Sequence, residues 1–304
     1  MINGFIVIDK PAGITSHDVV SRVRRIIGTR KVGHTGTLDP FATGVLPVAD
    51  NDGTKVIPFL DEGAKTYEAL LRLGVTTDTL DMTGAIQSES DLTRITLEPF
   101  IACLAGFTGA ISQIPPMYSA IKQNGQPLYK LARQGIDVER KPRDVEIYSL
   151  ELLSFDLPHA AIRVTCSRGT YVRSLADDIG RALGCGAALQ ELRRTASGPF
   201  RIEDAVTLDT LEVIAGEGRE SEVCVTPQEA LAPLPEIALD NAELCDVRHG
   251  RSFQLAQSGR GKATAIDGGS LIRLSYDGEL VAVATAEHTA DTVRIVPKRV
   301  LAGS

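Results

Sequence analysis

From Lys65 to Leu73 the chain alternates, with Tyr67, Ala69, Leu71 and Leu73 on one side and Thr66, Glu68 and Arg72 on the other. A period of two predicts a half-buried β-strand. Phe5–Asp9, which ends in the turn KPAG, and Gly44–Ala49 are short apolar runs expected to be buried strands. Val145–Phe155 and Ala160–Cys166, joined through Pro158, predict a hairpin-like pair. The period changes at Val19, Val20, Val23, Ile26 and Ile27, a helical stripe with Ser16 as the expected N-cap and Gly28 at its close. Arg22, Arg24 and Arg25 lie off that stripe and are expected to face outward. Helices are also expected over Leu97–Phe107, over Pro127–Gly135 with a glycine C-cap, and over roughly Tyr171–Leu183.

The pattern changes after Leu208–Ala232, an acidic stretch that closes on APLPE. Beyond it come short apolar runs broken by glycine: ATAIDGG, LIRLSYDGEL, VAVATA and VRIVP. This predicts one domain over 1–232 and a small β barrel over 233–304. Strands and helices in mixed order, with antiparallel-looking pairs, favour an α+β class over a doubly wound sheet.

Composition agrees with two domains: 304 residues, 43% hydrophobic and 23% charged, is ordinary for a globular chain with a sizeable core. The first residues have no basic segment before their apolar run, and no apolar stretch approaches the roughly 18 residues of a membrane span. Five widely spaced cysteines without a CxxC pair argue against a disulfide framework or a cysteine zinc site. A cytoplasmic location is expected.

Charge changes the picture more. The net charge is −7, yet Ile202–Asp246 alone holds twelve acids and one base, Arg219, so the remainder carries +4. Ser21–Leu38 contains Arg22, Arg24, Arg25, Arg30 and Lys31 with no acid. Ser119–Val145 contains Lys122, Lys130, Arg133, Arg140, Lys141 and Arg143 against three acids. Such local basic surface suits phosphate contacts whatever the total charge. The plainer alternative is a solvated helix face.

Common catalytic patterns are missing: GxSxG, the Walker loop, HExxH, and a GxGxxG opening a helix after a strand. The five histidines have no ligand spacing, so no metal is expected. What stands out is GHTGTLDPFATG, residues 33–44, with one aspartate, Asp39, locked before Pro40. Proline biases Asp39 toward extended backbone. Gly33 and Gly36 are expected to let the chain turn sharply and a ligand come close. Asp-Pro is also an ordinary turn starter. In CSRGTYVRSLADDIG, Arg173 follows Tyr171 at a helix start, and an arginine suits a lone, partly buried carboxylate. LRRTASGPF and IPPMYSAIK add paired arginines before a small-residue turn and a stiff diproline leading into the basic segment.

Together with KTYEALLRLG and RLGVTTDTLDMTG, these stretches resemble, in order and spacing, the bacterial tRNA pseudouridine synthases that modify uridine 55 of the T arm. The resemblance runs from about Gly4 to Phe200 and continues weakly to RIVPKRVL. It implies a pseudouridine synthase fold with a central mixed, mainly antiparallel sheet, and a C-terminal barrel similar to PUA RNA-binding modules. By motif, Asp39 matches the catalytic aspartate, Tyr67 the tyrosine that stacks on the target base, and Arg173 the arginine that pairs with the aspartate. Tyr171 matches a pocket residue, Leu192 an apolar pocket wall, and Lys10 a lysine near the site. His34 matches the histidine that props the T loop once the base has left. The basic segment, about 119–145, resembles a mobile insertion that clamps the T loop; Lys122, Lys130, Arg133 and Arg140 are its expected substrate contacts. After GVLPVA, however, Asp50-Asn51-Asp52 stands where the family more often has an apolar pair, which puts the packing there in question.

The chemistry so implied is economical. Uridine becomes pseudouridine when N1–C1′ breaks, the uracil turns, and C5 joins C1′. The leaving group is a uracil anion and nothing is gained or lost, so one carboxylate suffices, with no cofactor and no obligate protein partner expected. Asp39 has two routes: attack at C1′, as a retaining glycosidase nucleophile does, or removal of the 2′ proton through a glycal. Either needs a base taken out of its stack, where Tyr67 offers a π-face. Two other readings remain. GHTG fits the GXXG clamp of a non-catalytic RNA-binding module, which Asp39→Asn would leave intact. A nucleoside- or glycoside-cleaving enzyme would act on small substrates and need a second, acid carboxylate.

Overall fold

The computed structural model describes residues 2–60, 63–123, 125–256, 267–288 and 292–301. Its centre is a ten-stranded sheet. Eight strands run in the order Cys224–Val225, Phe5–Lys10, Thr43–Asp50, Ala187–Ser197, Lys65–Leu73, His159–Cys166, Arg143–Asp156 and Gly109–Gln113. Short strands Phe200–Arg201 and Val32–His34 pair at its side. One pairing in this sheet is parallel, Arg193 and Arg194 beside Thr43 and Gly44; the others are antiparallel.

The strand Lys65–Leu73 has the expected alternation, with Lys65, Tyr67, Ala69, Leu71 and Leu73 buried and the residues between them half-buried. Against this face pack the helix Ser16–Ile26, through Val19, Val20 and Val23, and the helix Val172–Ala182, through Leu175, Ala176 and Ile179. Burial of such apolar faces drives the assembly. Thr15, not Ser16, is the N-cap of the first helix; it forms a capping box with Asp18. Ser16 is instead buried, and its hydroxyl both donates to the Leu38 carbonyl (3.1 Å) and accepts from the Leu38 amide (2.8 Å). Gly28 ends that helix as expected, with a φ of +68°. The expected helix over Pro127–Gly135 contracts to Leu128–Ala132.

The polar trio at residues 50–52 stitches the chain's first residues to the sheet. The Asn51 side chain donates to the Ile2 carbonyl (2.9 Å) and to Asp50 (3.0 Å), and the Asp52 amide donates to the Asn3 side chain (2.8 Å). A side chain at Gly53 would collide with the Gly4 carbonyl at 2.1 Å, so the two segments touch backbone to backbone. The polar side chains there bond one another and the backbone instead of packing.

Residues 236–301 contribute a second, five-stranded sheet in the order Glu236–Ala238, Leu271–Tyr276, Glu279–His288, Thr292–Val300, Phe253–Ala256. The run expected at 263–269 lies mostly outside the described residues. Val283 of this sheet and Leu301, just past its last strand, join Phe5, Val45 and Phe200 of the first in one apolar cluster. Among the described residues no helix is long and apolar enough to cross a membrane.

One helix position gives a stability prediction. Burial pushes the Asp178 carboxyl up to about 6, helped by the charge of Asp177 and opposed by Arg181. Between the ordinary carboxylate value and about 6, the folded chain therefore holds a proton that the unfolded chain releases. Stability falls as pH rises through that window. Asp178→Asn removes the penalty and is expected to stabilise the fold at pH 7 by about 1 kcal/mol, the partial solvation of the site having been discounted. A thermal melt of both proteins at pH 7 and near pH 4 checks this; an unchanged difference between the two pH values counts against it.

Candidate active site

The loop that carries Asp39 lies between the strands Val32–His34 and Thr43–Asp50, beside the parallel pairing. It is pinned from three directions. The Lys10 ammonium, which has no exposed surface, donates to the carbonyls of Pro11 (2.9 Å), Pro40 (3.2 Å) and Ala42 (2.7 Å). The Gly13 amide also donates to Pro40 (2.8 Å). Ser16 holds Leu38, as described. Burial lowers the Lys10 ammonium to about 8, against the pull of Asp39. Lys10 thus touches the backbone of the loop, not its carboxylate.

The glycines act differently from the expectation. Neither Gly33 nor Gly36 adopts the left-handed backbone; Gly44 does, with a φ of +100°. A Cβ on Gly44 would meet the Arg194 carbonyl oxygen at 2.2 Å. The position that demands glycine is therefore the one where the parallel strands close on each other.

Arg173 reaches Asp39 as expected. Its Nε lies 2.9 Å from Asp39 Oδ2, and its Nη2 donates to Asp39 Oδ1 at 3.0 Å. This two-point contact joins residues 134 apart in sequence. The guanidinium also donates to the carbonyls of Thr79 (3.1 Å) and Tyr118 (2.8 Å) and lies 3.5 Å from a second carboxylate, Asp81. Arg173 sits in the first turn of its helix, where the helix dipole disfavours a cation. Two carboxylates and two carbonyls offset that cost.

No motif in the sequence assigns Asp81 a role. Its side chain is 4% exposed and accepts from Thr79 Oγ1 (2.8 Å), the Thr83 amide (3.0 Å) and Thr83 Oγ1. The signal that could have found it is the Thr-x-Asp-x-Thr spacing within DTLDMTG, which lets both hydroxyls bond the central carboxylate. Asp39 keeps 32% of its side chain open, which is the accessible face of the cluster. Burial raises its carboxyl above the ordinary value; Arg173 opposes this and Asp81 adds to it.

The other expected residues lie at different depths in the fold. Tyr67 and Leu192 are each 7% exposed and face the same apolar core. Burial raises the Tyr67 phenol, with the Arg194 charge opposing. Tyr171 is half-buried at the N-cap of its helix, and burial raises its phenol too. Its backbone is clasped by the Gln113 side chain at both ends: the amide donates to Oε1 (2.8 Å) and the carbonyl accepts from Nε2 (3.1 Å). His34 ends the strand that enters the loop, and burial lowers its imidazole, which favours the neutral form.

The basic segment divides. Lys122, Lys130 and Arg133 are exposed and, among the described residues, have no acidic partner; Arg133 lies over the Tyr129 ring at 5.6 Å. Arg140 is half-buried at the root of the segment, where it donates to the Pro115 carbonyl (3.2 Å) and approaches Asp137 at 3.8 Å. Among the described residues no group of three His, Cys, Asp or Glu side chains is placed to hold a metal ion.

The sequence matches the model of the TruB family pseudouridylate synthase N-terminal domain over residues 24–172 and that of the tRNA pseudouridylate synthase B C-terminal domain over 173–236. The chain belongs to the TruB family of pseudouridylate synthases. It is 52% identical over 295 residues to a tRNA pseudouridine synthase B of Geotalea uraniireducens, covering 95% of this chain and 94% of that one. A Geobacter sulfurreducens protein of the same name is 50% identical over 93% of each chain. A solved Cbf5-Nop10-Gar1 complex contains a chain with a TM-score of 0.75 and 30% identity, covering 98% of this chain and 84% of that one. The α+β class and the large central, mainly antiparallel sheet of the pseudouridine synthase fold stand accordingly.

Proposed function

We propose that this TruB-family chain isomerises the uridine at position 55 in the T loop of tRNA, with Asp39 acting at the ribose of a flipped-out nucleotide. Formation of pseudouridine in tRNA follows from family membership and from close relatives that bear the name over nearly the whole chain. The observation that carries the residue assignment is the Asp39–Arg173 contact at 2.9 and 3.0 Å, with Asp39 partly open beside the buried Tyr67. One accessible carboxylate, oriented at two points by a buried guanidinium, suits either attack at C1′ or removal of the 2′ proton. Tyr67 supplies the face on which the uracil stacks, Leu192 a wall, and Tyr171 a flank. Lys10 holds the loop in place, and neutral His34 stands at its entry strand to prop the T loop. The C-terminal sheet serves as an RNA-binding module on the catalytic unit. Incubation of a T-arm stem-loop with the protein, followed by mapping of pseudouridine, tests the site. Product at another uridine, or none, overturns it.

The exposed segment adds phosphate contacts. Because Arg140 is tied to Pro115, three of the four expected contacts stay free to meet phosphate: Lys122, Lys130 and Arg133. Their joint replacement by glutamine is expected to weaken tRNA binding. It should also flatten the dependence of log K on log salt by about 0.7–0.9 for each phosphate that is no longer neutralised. The chemical step in the bound complex should be little changed. A salt slope equal to that of the parent makes these residues solubilising only.

A further inference from the structure

Among the described residues, Arg194 is the largest side chain with no exposed surface. It extends from the strand Ala187–Ser197 where that strand pairs with Gly44. Its Nε donates to the Val45 carbonyl at 2.7 Å and its Nη2 to the Gly36 carbonyl at 3.1 Å. On the neighbouring strand Tyr67 stands directly opposite Arg194 in the antiparallel register. No carboxylate among the described residues lies within ion-pairing reach of it. The neighbouring Arg193 takes Asp9 instead, at 2.8 Å.

A guanidinium buried among neutral oxygens alone is a costly arrangement, and a methionine of similar length would avoid the desolvation. Arg194 is nevertheless held in a tight frame: a Cβ on Gly44 would meet its backbone, so only glycine at position 44 lets the two strands meet. The charge is felt in the site: it lowers His34 and Lys10 and opposes the rise of the Tyr67 phenol. Two parts of the site meet at this one residue: the GHTG loop, through the Gly36 carbonyl, and Tyr67, its direct partner on the adjacent strand.

We propose that Arg194 is a positioning residue for the reaction, fixing the Tyr67 hydroxyl against the Gly36 end of the Asp39 loop and so setting where the ring meets the flipped base. This rests on the reading that Tyr67 contacts the base. A residue that merely holds the strands together would act on the whole fold, whereas one acting through the hydroxyl loses its effect when the hydroxyl is gone.

A double-mutant cycle separates the two. Single-turnover rates and tRNA Kd are measured for Tyr67→Phe, Arg194→Met and the double variant on a T-arm stem-loop. Arg194→Met alone is expected to slow turnover by about 100-fold with Kd within about threefold, and by less than about threefold when added to Tyr67→Phe. Arg194→Lys, which keeps the charge but not the fork, is expected to fall between. If Arg194→Met does not fold, as judged by its thermal melt, Arg194→Lys carries the same cycle. Equal losses in both backgrounds, or a Tyr67→Phe variant as fast as the parent, overturn the proposal. Absence of pseudouridine with the parent protein would instead overturn the assigned function.

Discussion

Asp39→Asn is expected to abolish pseudouridine formation, a loss of at least about 10⁴-fold in the single-turnover rate, while tRNA affinity changes no more than a few-fold. The amide keeps the shape of the side chain but can neither attack C1′ nor take a proton. Arg173 is not stranded by the change. It keeps the Thr79 and Tyr118 carbonyls and Asp81, so the cluster retains an anion for its cation. The variant should therefore fold, and its thermal melt reports whether it does. Rate and affinity on one stem-loop check the prediction. A folded Asp39→Asn protein with substantial turnover would show that the carboxylate is not the reacting group.

Removal of Arg173 should have the second largest effect, and its signature is pH. Asp39 must be ionised to act, and burial already raises its carboxyl, with Arg173 as the main opposing influence. In the parent, activity is lost as pH falls through this raised value, so the acid limb lies above the ordinary carboxylate range. Without Arg173 the carboxyl rises further, and the limb moves to higher pH. Arg173→Met is thus expected to be severely impaired at neutral pH and to recover part of its rate as the pH is raised. Arg173→Lys keeps a charge but not the two-point contact, so its limb should move less. The Met variant leaves buried Asp81 short of its cation, and a destabilisation of about 3–5 kcal/mol is the usual consequence. Rates are therefore compared only below each variant's melting temperature. A limb at the same pH in all three proteins would mean that Arg173 orients Asp39 without holding its charge.

Much of the fold can be read from local patterns. The alternation at 65–73, the helical stripe at 19–27 and the Gly28 stop each reflect a periodicity or a backbone preference that acts within a few residues. The helix Leu128–Ala132 is shorter than its composition suggests, because Pro127 before it is extended and residues 133–136 after it are exposed, with little packing to hold them helical. Ser16 shows the limit in one position. Its residue type suits a cap, but Thr15 takes that task and the buried hydroxyl is spent on Leu38, a partner 22 residues away.

Asp39 is identifiable because the oddity of its loop is local, and Arg173 because a buried carboxylate needs a cation. Asp81 leaves only the weak Thr-x-Asp-x-Thr trace. Arg194 leaves almost none, since a pair of arginines on a strand does not say which one will be buried. That choice depends on strand neighbours: parallel pairing with Gly44 turns Arg194 inward toward Val45, Gly36 and Tyr67, and turns Arg193 toward Asp9. Periodicity and residue chemistry at short range were thus enough for the main strands, the helices and the carboxylate proposed to react. Which cation meets that carboxylate was settled only by the tertiary fold, because Arg173 lies 134 residues from Asp39 and no local pattern brings the two together.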